Sequence, residues 1–441
     1  MAKAKSERLA LHWQILIAIA VAVIAGLLAG EQSGVFGVTF YSVFDFLGRM
    51  FLNALKMLIV PLIASSMVVG VAGIGSSESL GRLGGRTLFF YASTSLVAIV
   101  LGLSVINIVK PGIADGQPAG DMLALDADRE SVSALIGDRG AGDIVEIFVR
   151  MVPENVFAAA SNNGGILSII FFSLLFGFFI TRIGPVHGQM LVSFWKGVFE
   201  VMTKMTEWIM TLAPIGVFGL VAKVVAKAGL AAAGPLAIFA ACVLVCLGIH
   251  LFVTLPLFIR LSTGLKPWPL FSAMGPALLT AFSTASSSAT VPVTLDCAEN
   301  RAGVSNKISS FVIPLGATIN MNGTALYECA AAVFLAQAYG LELSFGVQFS
   351  IVIIALLTSI GVAGVPSASL VAIAIILAAV GLPVEAIGVL MVFDRVLDMC
   401  RTSINVWGDA CCATIVARLE GEKTNVAIEG DDDPEEARAP A

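Results

Sequence analysis

Ser286-Ser287-Ser288-Ala289-Thr290-Val291-Pro292 stands in the middle of an apolar run that extends from 267 to 297. A membrane-crossing helix needs about 20 apolar residues, and each half of this run is shorter than that. The segment is therefore predicted to enter and return as a hairpin. A second apolar run, 348–380, is interrupted in the same way at Gly361-Val362-Ala363-Gly364-Val365-Pro366-Ser367-Ala368-Ser369. Two kinked spans, bent at Pro292 and Pro366, are the alternative reading. Each run is followed by a long apolar segment, 306–337 and 385–418, so the order is hairpin, helix, hairpin, helix.

Working outward, the chain of 441 residues is 58% hydrophobic and 13% charged, with a mean hydropathy of +0.94. A water-soluble domain would need far more charge on its surface, so the solvent must be a bilayer. The net charge of -6 comes largely from the stretch Glu420 to Glu436, which reads as a solvated end and not as the mark of an anionic partner. Nucleic acid is excluded as a partner. The seven cysteines, Cys242, Cys246, Cys297, Cys329, Cys400, Cys411 and Cys412, have no metal-ligand spacing and are odd in number, so they read as small core residues.

Apolar segments long enough to span occur near 11–30, 45–73, 87–109, 164–182, 192–225, 233–259, 308–337 and 385–418, which makes eight. The first follows Lys3, Lys5 and Arg8 and is too long for a cleaved signal core, so 1–10 is expected to be cytosolic. Arg82, Arg86, Arg182, Lys196, Arg260, Lys266, Arg418 and Lys423 then fall on the cytosolic side, with Lys223 and Lys227 as exceptions. Residues 112–143 are expected to form an extracytoplasmic loop ahead of an amphipathic stretch at 144–157, and 420–441 a disordered acidic cytosolic tail.

The last apolar segment carries Asp394, Arg395, Asp398, Arg401, Asn405 and Asp409, an expensive concentration of charge inside a membrane. At about 100° per residue, positions 394, 398, 401, 405 and 409 share one narrow stripe, and Arg395 lies off it. The stripe must face protein or water. The bland reading is that Asp398 and Arg401 only knit the bundle. The functional reading is that Asp398 takes the ammonium group and Arg401 the side-chain carboxylate of an acidic amino acid, with hairpin-tip amides for its α-carboxylate. Asp409, Asn405 and the broken stretch Asn320-Met321-Asn322-Gly323 offer hard oxygen ligands for Na⁺. Paired interruptions of this kind point to a transporter's midplane site, because unwound backbone in a membrane is tolerated only beside a polar cavity.

The run Asn320-Met321-Asn322-Gly323-Thr324-Ala325-Leu326-Tyr327-Glu328, the triple serine 286–288, Gly364-Val365-Pro366 and Asp398-Met399-Cys400-Arg401-Thr402 closely resemble the dicarboxylate/amino acid:cation symporter family. That family includes archaeal aspartate transporters, bacterial glutamate symporters and the excitatory amino-acid transporters. The resemblance runs from the first span to Arg418. It implies an all-α membrane protein of the plasma membrane, the inner membrane in a Gram-negative cell, with eight transmembrane helices, two re-entrant hairpins and inverted repeats. It also implies a homotrimer in lipid and an elevator movement, with both termini cytoplasmic. The scaffold would be 11–73 and 144–225. The transport domain would be 87–109, 233–259, the hairpins 267–297 and 348–380, and the helices 306–337 and 385–418.

By the same resemblance the substrate is a small acidic amino acid, glutamate or aspartate, held by Ser286, Ser287, Ser288, Thr324, Val365, Asp398, Arg401, Thr402 and Asn405. Na⁺ would bind at Gly316, Asn320, Asn405 and Asp409, and again at Thr318, Met321, Ser359, Ile360 and Val362. A third set would be Tyr91, Thr94, Ser95, Asn320 and Asn322. Glu328 matches a proton-carrying glutamate, which adds H⁺ as a second coupling ion. The chain departs from the family at Asn322, where Asp is usual, at Ala285 and Met399, where relatives carry an arginine in one place or the other, and at Ser367 and Ser369, where Gly is common and a serine would stiffen the second tip or add a hydroxyl to the site.

Two other functions compete. Dicarboxylate or neutral amino-acid transport on the same fold is opposed by Asp398 in the first case and Arg401 in the second. An intramembrane hydrolase built on the triple serine needs a general base, yet His12, His187 and His250 lie outside the motif segments.

Overall fold

Apolar runs with few internal breakers become helices almost throughout, because in a membrane every backbone polar group must be paired within its own segment. The computed structural model describes residues 11–74, 78–125, 149, 151–161, 166–359 and 368–426. The expected N-terminal segment 1–10, most of the loop 112–143, the second interruption from 360 to 367 and the tail beyond 426 lie outside them.

In chain order the helices are α1 (Leu11–Ala29), α2 (Phe40–Ile74), α3 (Glu78–Val109), α4 (Val156–Ser161), α5 (Ile166–Ile180), α6 (Pro185–Met210), α7 (Ala213–Ala228) and α8 (Ala233–Ile249). Then follow α9 (Leu255–Thr263), α10 (Pro267–Ala273), α11 (Gly275–Thr284), α12 (Ser287–Asp296), α13 (Asn306–Ile319), α14 (Asn322–Ala338), α15 (Phe345–Ser359), α16 (Ala368–Val380) and α17 (Ile387–Leu419). Two-residue strands pair as small hairpins, β1 (Gly34–Val35) with β2 (Val38–Thr39) and β3 (Ile113–Ala114) with β4 (Gln117–Pro118). Phe40–Ala72, Arg82–Val109 and Ala233–Thr263 are each long and apolar enough to cross a bilayer.

Several boundaries differ from the expected ones. The segment 192–225 is not one helix: α6 and α7 meet at a 55° bend, where Pro214 enters the first turn of α7 and cannot continue the hydrogen-bond ladder of α6. The segment 308–337 is divided where the broken stretch was expected, at Asn320 and Met321, whose φ/ψ of -92°/79° and -107°/45° are not helical. In the first hairpin the chain reverses at Ala285, a non-glycine residue with φ of 51°, and not at Pro292, which lies inside α12. A buried alanine in the left-handed region costs on the order of 1–3 kcal/mol, so the surrounding packing must hold this turn.

Two groups of helices pack against each other. α1 lies on α7, and α2 lies on α5, α6 and α7. In the other group α3 runs along α14, while α17 is covered by α11, α13 and α14 and also meets α7. Every residue of α14 is buried, as its run of alanines allows. Across the seam, Lys56 of α2 pairs with Glu385 at 2.7 Å, beside a cleft of about 540 Å³ that Asp45, Arg49, Lys223 and Tyr339 help to line. Lys223, an exception to the charge bias, is paired with Asp45 at 3.1 Å. Six of the seven cysteines are buried and Cys400 is partly so, all as free thiols, which suits small core residues.

Beyond α17 the chain folds back as a strap. Arg82 and Arg86 of α3 grip Glu420 at 2.6 and 2.5 Å, the Ser305 hydroxyl donates to Glu422 at 2.7 Å, and the Asn425 amide donates to the Ala302 carbonyl at 2.9 Å. The hydrogen bond from Arg82 holds the Glu420 carboxyl below its usual range. A carboxylate whose pKa is depressed by folding stabilises fully above its ordinary pKa, and that contribution fades as pH falls through the folded value. Glu420→Gln is therefore expected to lower the melting temperature of the detergent-solubilised protein at pH 7 by about 1–2 °C, as an exposed ion pair allows. The difference should close toward pH 3. A pH-independent difference would mean that the Glu420 charge is not what holds the strap.

Candidate functional site

α17 is buried nearly along its whole length, so its charged face meets protein on all sides. Asp394, Asp398, Arg401, Asn405 and Asp409 are each at most 6% exposed, which brings the expected stripe together inside the molecule. Arg395 corrects the helical-wheel reading. It lies off the stripe, yet it is equally buried, with Nη1 3.7 Å from Asp398 Oδ2. Enclosure therefore does not follow the stripe: Arg395 is buried, whereas its neighbour Val396 is 39% exposed.

At the centre is Arg401, with no exposed surface. Its Nη2 donates to Asp398 Oδ1 at 3.0 Å, to Asp394 Oδ1 at 3.1 Å and to Ser369 Oγ at 2.9 Å. The guanidinium carbon stands 3.9 Å from the centroid of the Tyr327 ring, a cation–π contact. Nε and Nη1 have no hydrogen-bond partner among the described residues. Buried polar groups are nearly always paired, and a guanidinium presents its donors as a planar fork that fits a carboxylate. One edge of Arg401 is thus anchored and another is open. Two carboxylates and two guanidiniums, Asp394, Asp398, Arg395 and Arg401, make this cluster balanced in charge.

A second cluster lies further along α17. Asn405 acts as a joint: its Oδ1 accepts from the Gly323 amide at 2.9 Å, and its Nδ2 donates to Thr324 Oγ1 at 3.1 Å and to Met321 Sδ at 3.3 Å. Asn320 Nδ2 donates to Asp409 Oδ1 at 2.9 Å and to the Asn405 carbonyl at 3.1 Å. Two glycines allow the approach. A Cβ at Gly316 would overlap the Asp409 carboxylate and the Tyr91 hydroxyl, and one at Gly408 would come within 2.6 Å of Asn320 Nδ2 and 2.9 Å of Asn322 Nδ2. The structure therefore gathers Tyr91, Gly316, Asn320, Asn322, Asn405 and Asp409. Asn320 Oδ1 and Asn322 Nδ2 are buried without partners among the described residues. Asp409 makes no ion pair among the described residues, so this buried carboxylate is met by the Asn320 amide and not by a cation.

The remaining expected residues divide. Thr318 and Ser359 are present with their hydroxyls bonded inside their own helices, and Ile360, Val362 and Val365 lie outside the described residues. Thr94 and Ser95 are buried, the Thr94 hydroxyl donating to Phe90 and Tyr91 carbonyls of α3. The Thr402 hydroxyl donates to the Asp398 carbonyl at 2.8 Å. Glu328 is fully buried; Thr358 donates to its Oε2 at 3.4 Å and its Oε1 has no partner among the described residues. At the first tip Ser286 caps α12, accepting from the Ala289 amide at 3.2 Å, and Ser287 is buried. Ser288 departs from the group. It is exposed and lines a groove of about 910 Å³ with Glu200, Lys204 and Trp208 of α6.

Sequence reasoning missed two contributors, Asp394 as the second anchor of Arg401 and the Tyr327 ring beneath it, and it named Ser369 as a source of a hydroxyl without naming Arg401 as its partner. Asp394 was visible on the stripe, and Tyr327 as an aromatic in an alanine-rich helix. Ser369 is joined to Arg401 across 32 positions, which no local pattern encodes.

The sodium:dicarboxylate symporter family matches residues 11–419. The chain is 33% identical over 416 residues to the proton/glutamate-aspartate symporter of Escherichia coli (strain K12), covering 94% of each chain. It is 36% identical to the proton/sodium-glutamate symport protein of Bacillus caldotenax, covering 94% of this chain and 96% of that one. With excitatory amino acid transporter 3 of Mus musculus it shares 37% identity, covering 95% and 88%.

Proposed function

The chain belongs to the sodium:dicarboxylate symporter family, and from that premise we propose how its two buried clusters carry out transport. It is a multi-pass membrane symporter of acidic amino acids, glutamate or aspartate, coupled to Na⁺ with H⁺ as a second coupling ion, and it is not an enzyme.

The observation that carries the site reading is the half-engaged guanidinium of Arg401. A donor left unused on Nε or Nη1 takes the side-chain carboxylate of the substrate, Asp398 takes the ammonium group, and Thr324 and the two hairpin tips hold the α-carboxylate. The surrounding charges favour an acidic substrate only if a cation comes with it. The Arg401 cluster is already balanced, so adding an anionic amino acid leaves an uncompensated charge in a low-dielectric interior, at a cost of several kcal/mol. Asp409, which has no cationic partner among the described residues, supplies the place for Na⁺ beside Asn320, Asn405 and Gly316. Glu328, whose Oε1 has no partner among the described residues, is the position for a proton. Asn322 keeps an oxygen at the third cation set and removes its charge.

The finer architecture belongs to the same reading. It has eight spans and two hairpins, a homotrimer, cytoplasmic termini, and a body of α3 and α8–α17 that slides against α1, α2 and α5–α7. The separation of the helices into two groups joined by the Lys56–Glu385 pair supports it. Competition tests the function. Purified protein in liposomes takes up labelled aspartate, and unlabelled aspartate or glutamate displaces it while alanine and succinate do not. Equal displacement by succinate would remove the role given to Asp398.

A further inference from the structure

Ser369 stands in the first turn of α16, 2% exposed. A serine so placed commonly bonds its own backbone. Here its Oγ accepts from Arg401 Nη2 at 2.9 Å, so the hydroxyl is turned out of its helix and onto the guanidinium. Nη2 carries two protons and faces three acceptors, Ser369, Asp394 and Asp398, whereas the three N–H groups of Nε and Nη1 face none among the described residues. Ser369 adds an uncharged acceptor to that crowded corner. It therefore helps to fix the guanidinium without placing a third carboxylate beside it. The hydroxyl also keeps a proton of its own, which makes no hydrogen bond among the described residues.

We propose that Ser369 is a specificity-determining residue of the acidic side-chain subsite: it positions Arg401 and donates its hydroxyl proton to the carboxylate that the guanidinium receives. The inference rests on the reading of Arg401 given above and adds a second donor to it. A carboxylate accepts from a guanidinium and a hydroxyl together, because both of its oxygens are acceptors. The amide of asparagine has one such oxygen and would turn an NH₂ toward these donors. The residue thus separates the acid from its amide. It also ties the second hairpin to the substrate, since α16 is the arm that follows the interruption.

The test is calorimetric titration of the purified full-length protein in saturating Na⁺ with L-aspartate, L-glutamate and L-asparagine, and of Na⁺ alone. Losing one hydrogen bond to a charged group predicts that Ser369→Ala weakens aspartate and glutamate about tenfold or more. Asparagine should change by less than about twofold on the same reasoning, since its amide does not use the bond. Ser369→Thr, which keeps the hydroxyl, should restore most of the loss, and the affinity for Na⁺ without amino acid should not move. The inference is overturned if Ser369→Ala leaves aspartate affinity unchanged, or if it weakens asparagine and Na⁺ in parallel with aspartate, as a structural role would. Wild-type protein that binds neither acid would overturn the functional reading and this inference with it.

Discussion

Arg401→Cys abolishes uptake of aspartate and glutamate, with the affinity for either acid falling by about a hundredfold or more, the cost of leaving a buried charge unpaired. In the wild type Nη2 of this guanidinium holds Asp394, Asp398 and Ser369, while Nε and Nη1 have no hydrogen-bond partner among the described residues. Removing it costs twice. The substrate's carboxylate loses its partner, and Asp394 loses its cation, while Asp398 keeps Arg395 at 3.7 Å. Arg401→Lys separates these losses. A lysine restores a positive charge but not the planar fork, so the protein should recover stability and remain at least tenfold weaker for aspartate. Unchanged aspartate affinity in Arg401→Cys would show that the carboxylate binds elsewhere.

Asp409→Asn is expected to do two things in opposite directions. Without Na⁺ it should raise the melting temperature, because the variant replaces a buried carboxylate that makes no ion pair among the described residues with a neutral group of the same shape. With Na⁺ it should lose the stabilisation that the wild type gains. A ligand at 100 times its Kd contributes about 2.7 kcal/mol, and that difference should collapse in the variant. Asn320 and Asn405 alone offer neutral oxygens, which do not repay a cation for leaving water. Thermal unfolding across Na⁺ concentrations decides this. If Asp409→Asn keeps the full Na⁺-dependent shift, the carboxylate is not part of the ion's cage.

Much of the site was legible because helical spacing is local. Positions 394, 398, 401, 405 and 409 could be placed on one stripe from the rise per residue alone, and the structure buries all five. The break at Asn320 and Met321 was visible because Asn320, Asn322 and Gly323 are poor helix formers inside an apolar run, and Asn320 and Met321 are both non-helical. What spacing cannot supply is enclosure. Arg395 reads as turned away from the stripe, yet it is 4% exposed and stands beside Asp398, while the next residue, Val396, is 39% exposed. Nor can spacing bring Ser369 to Arg401, since that contact depends on how α16 returns to α17. The triple serine shows the converse. Its first two members are buried, Ser286 as the cap ahead of α12 and Ser287 inside it, but Ser288 is exposed, because successive helical residues lie about 100° apart and do not share one face.

The central claim is that an acidic amino acid enters a charge-balanced pocket only in company with cations. Purified protein in liposomes, given labelled aspartate and glutamate under Na⁺, H⁺ and K⁺ gradients imposed one at a time, tests it most directly. The account predicts that an inward Na⁺ gradient alone drives concentrative uptake, that an inward H⁺ gradient adds to it, and that Glu328→Gln removes the H⁺ effect while leaving the Na⁺ effect. Uptake that ignores Na⁺ and follows the pH gradient alone, or that proceeds equally with no cation gradient, would contradict it.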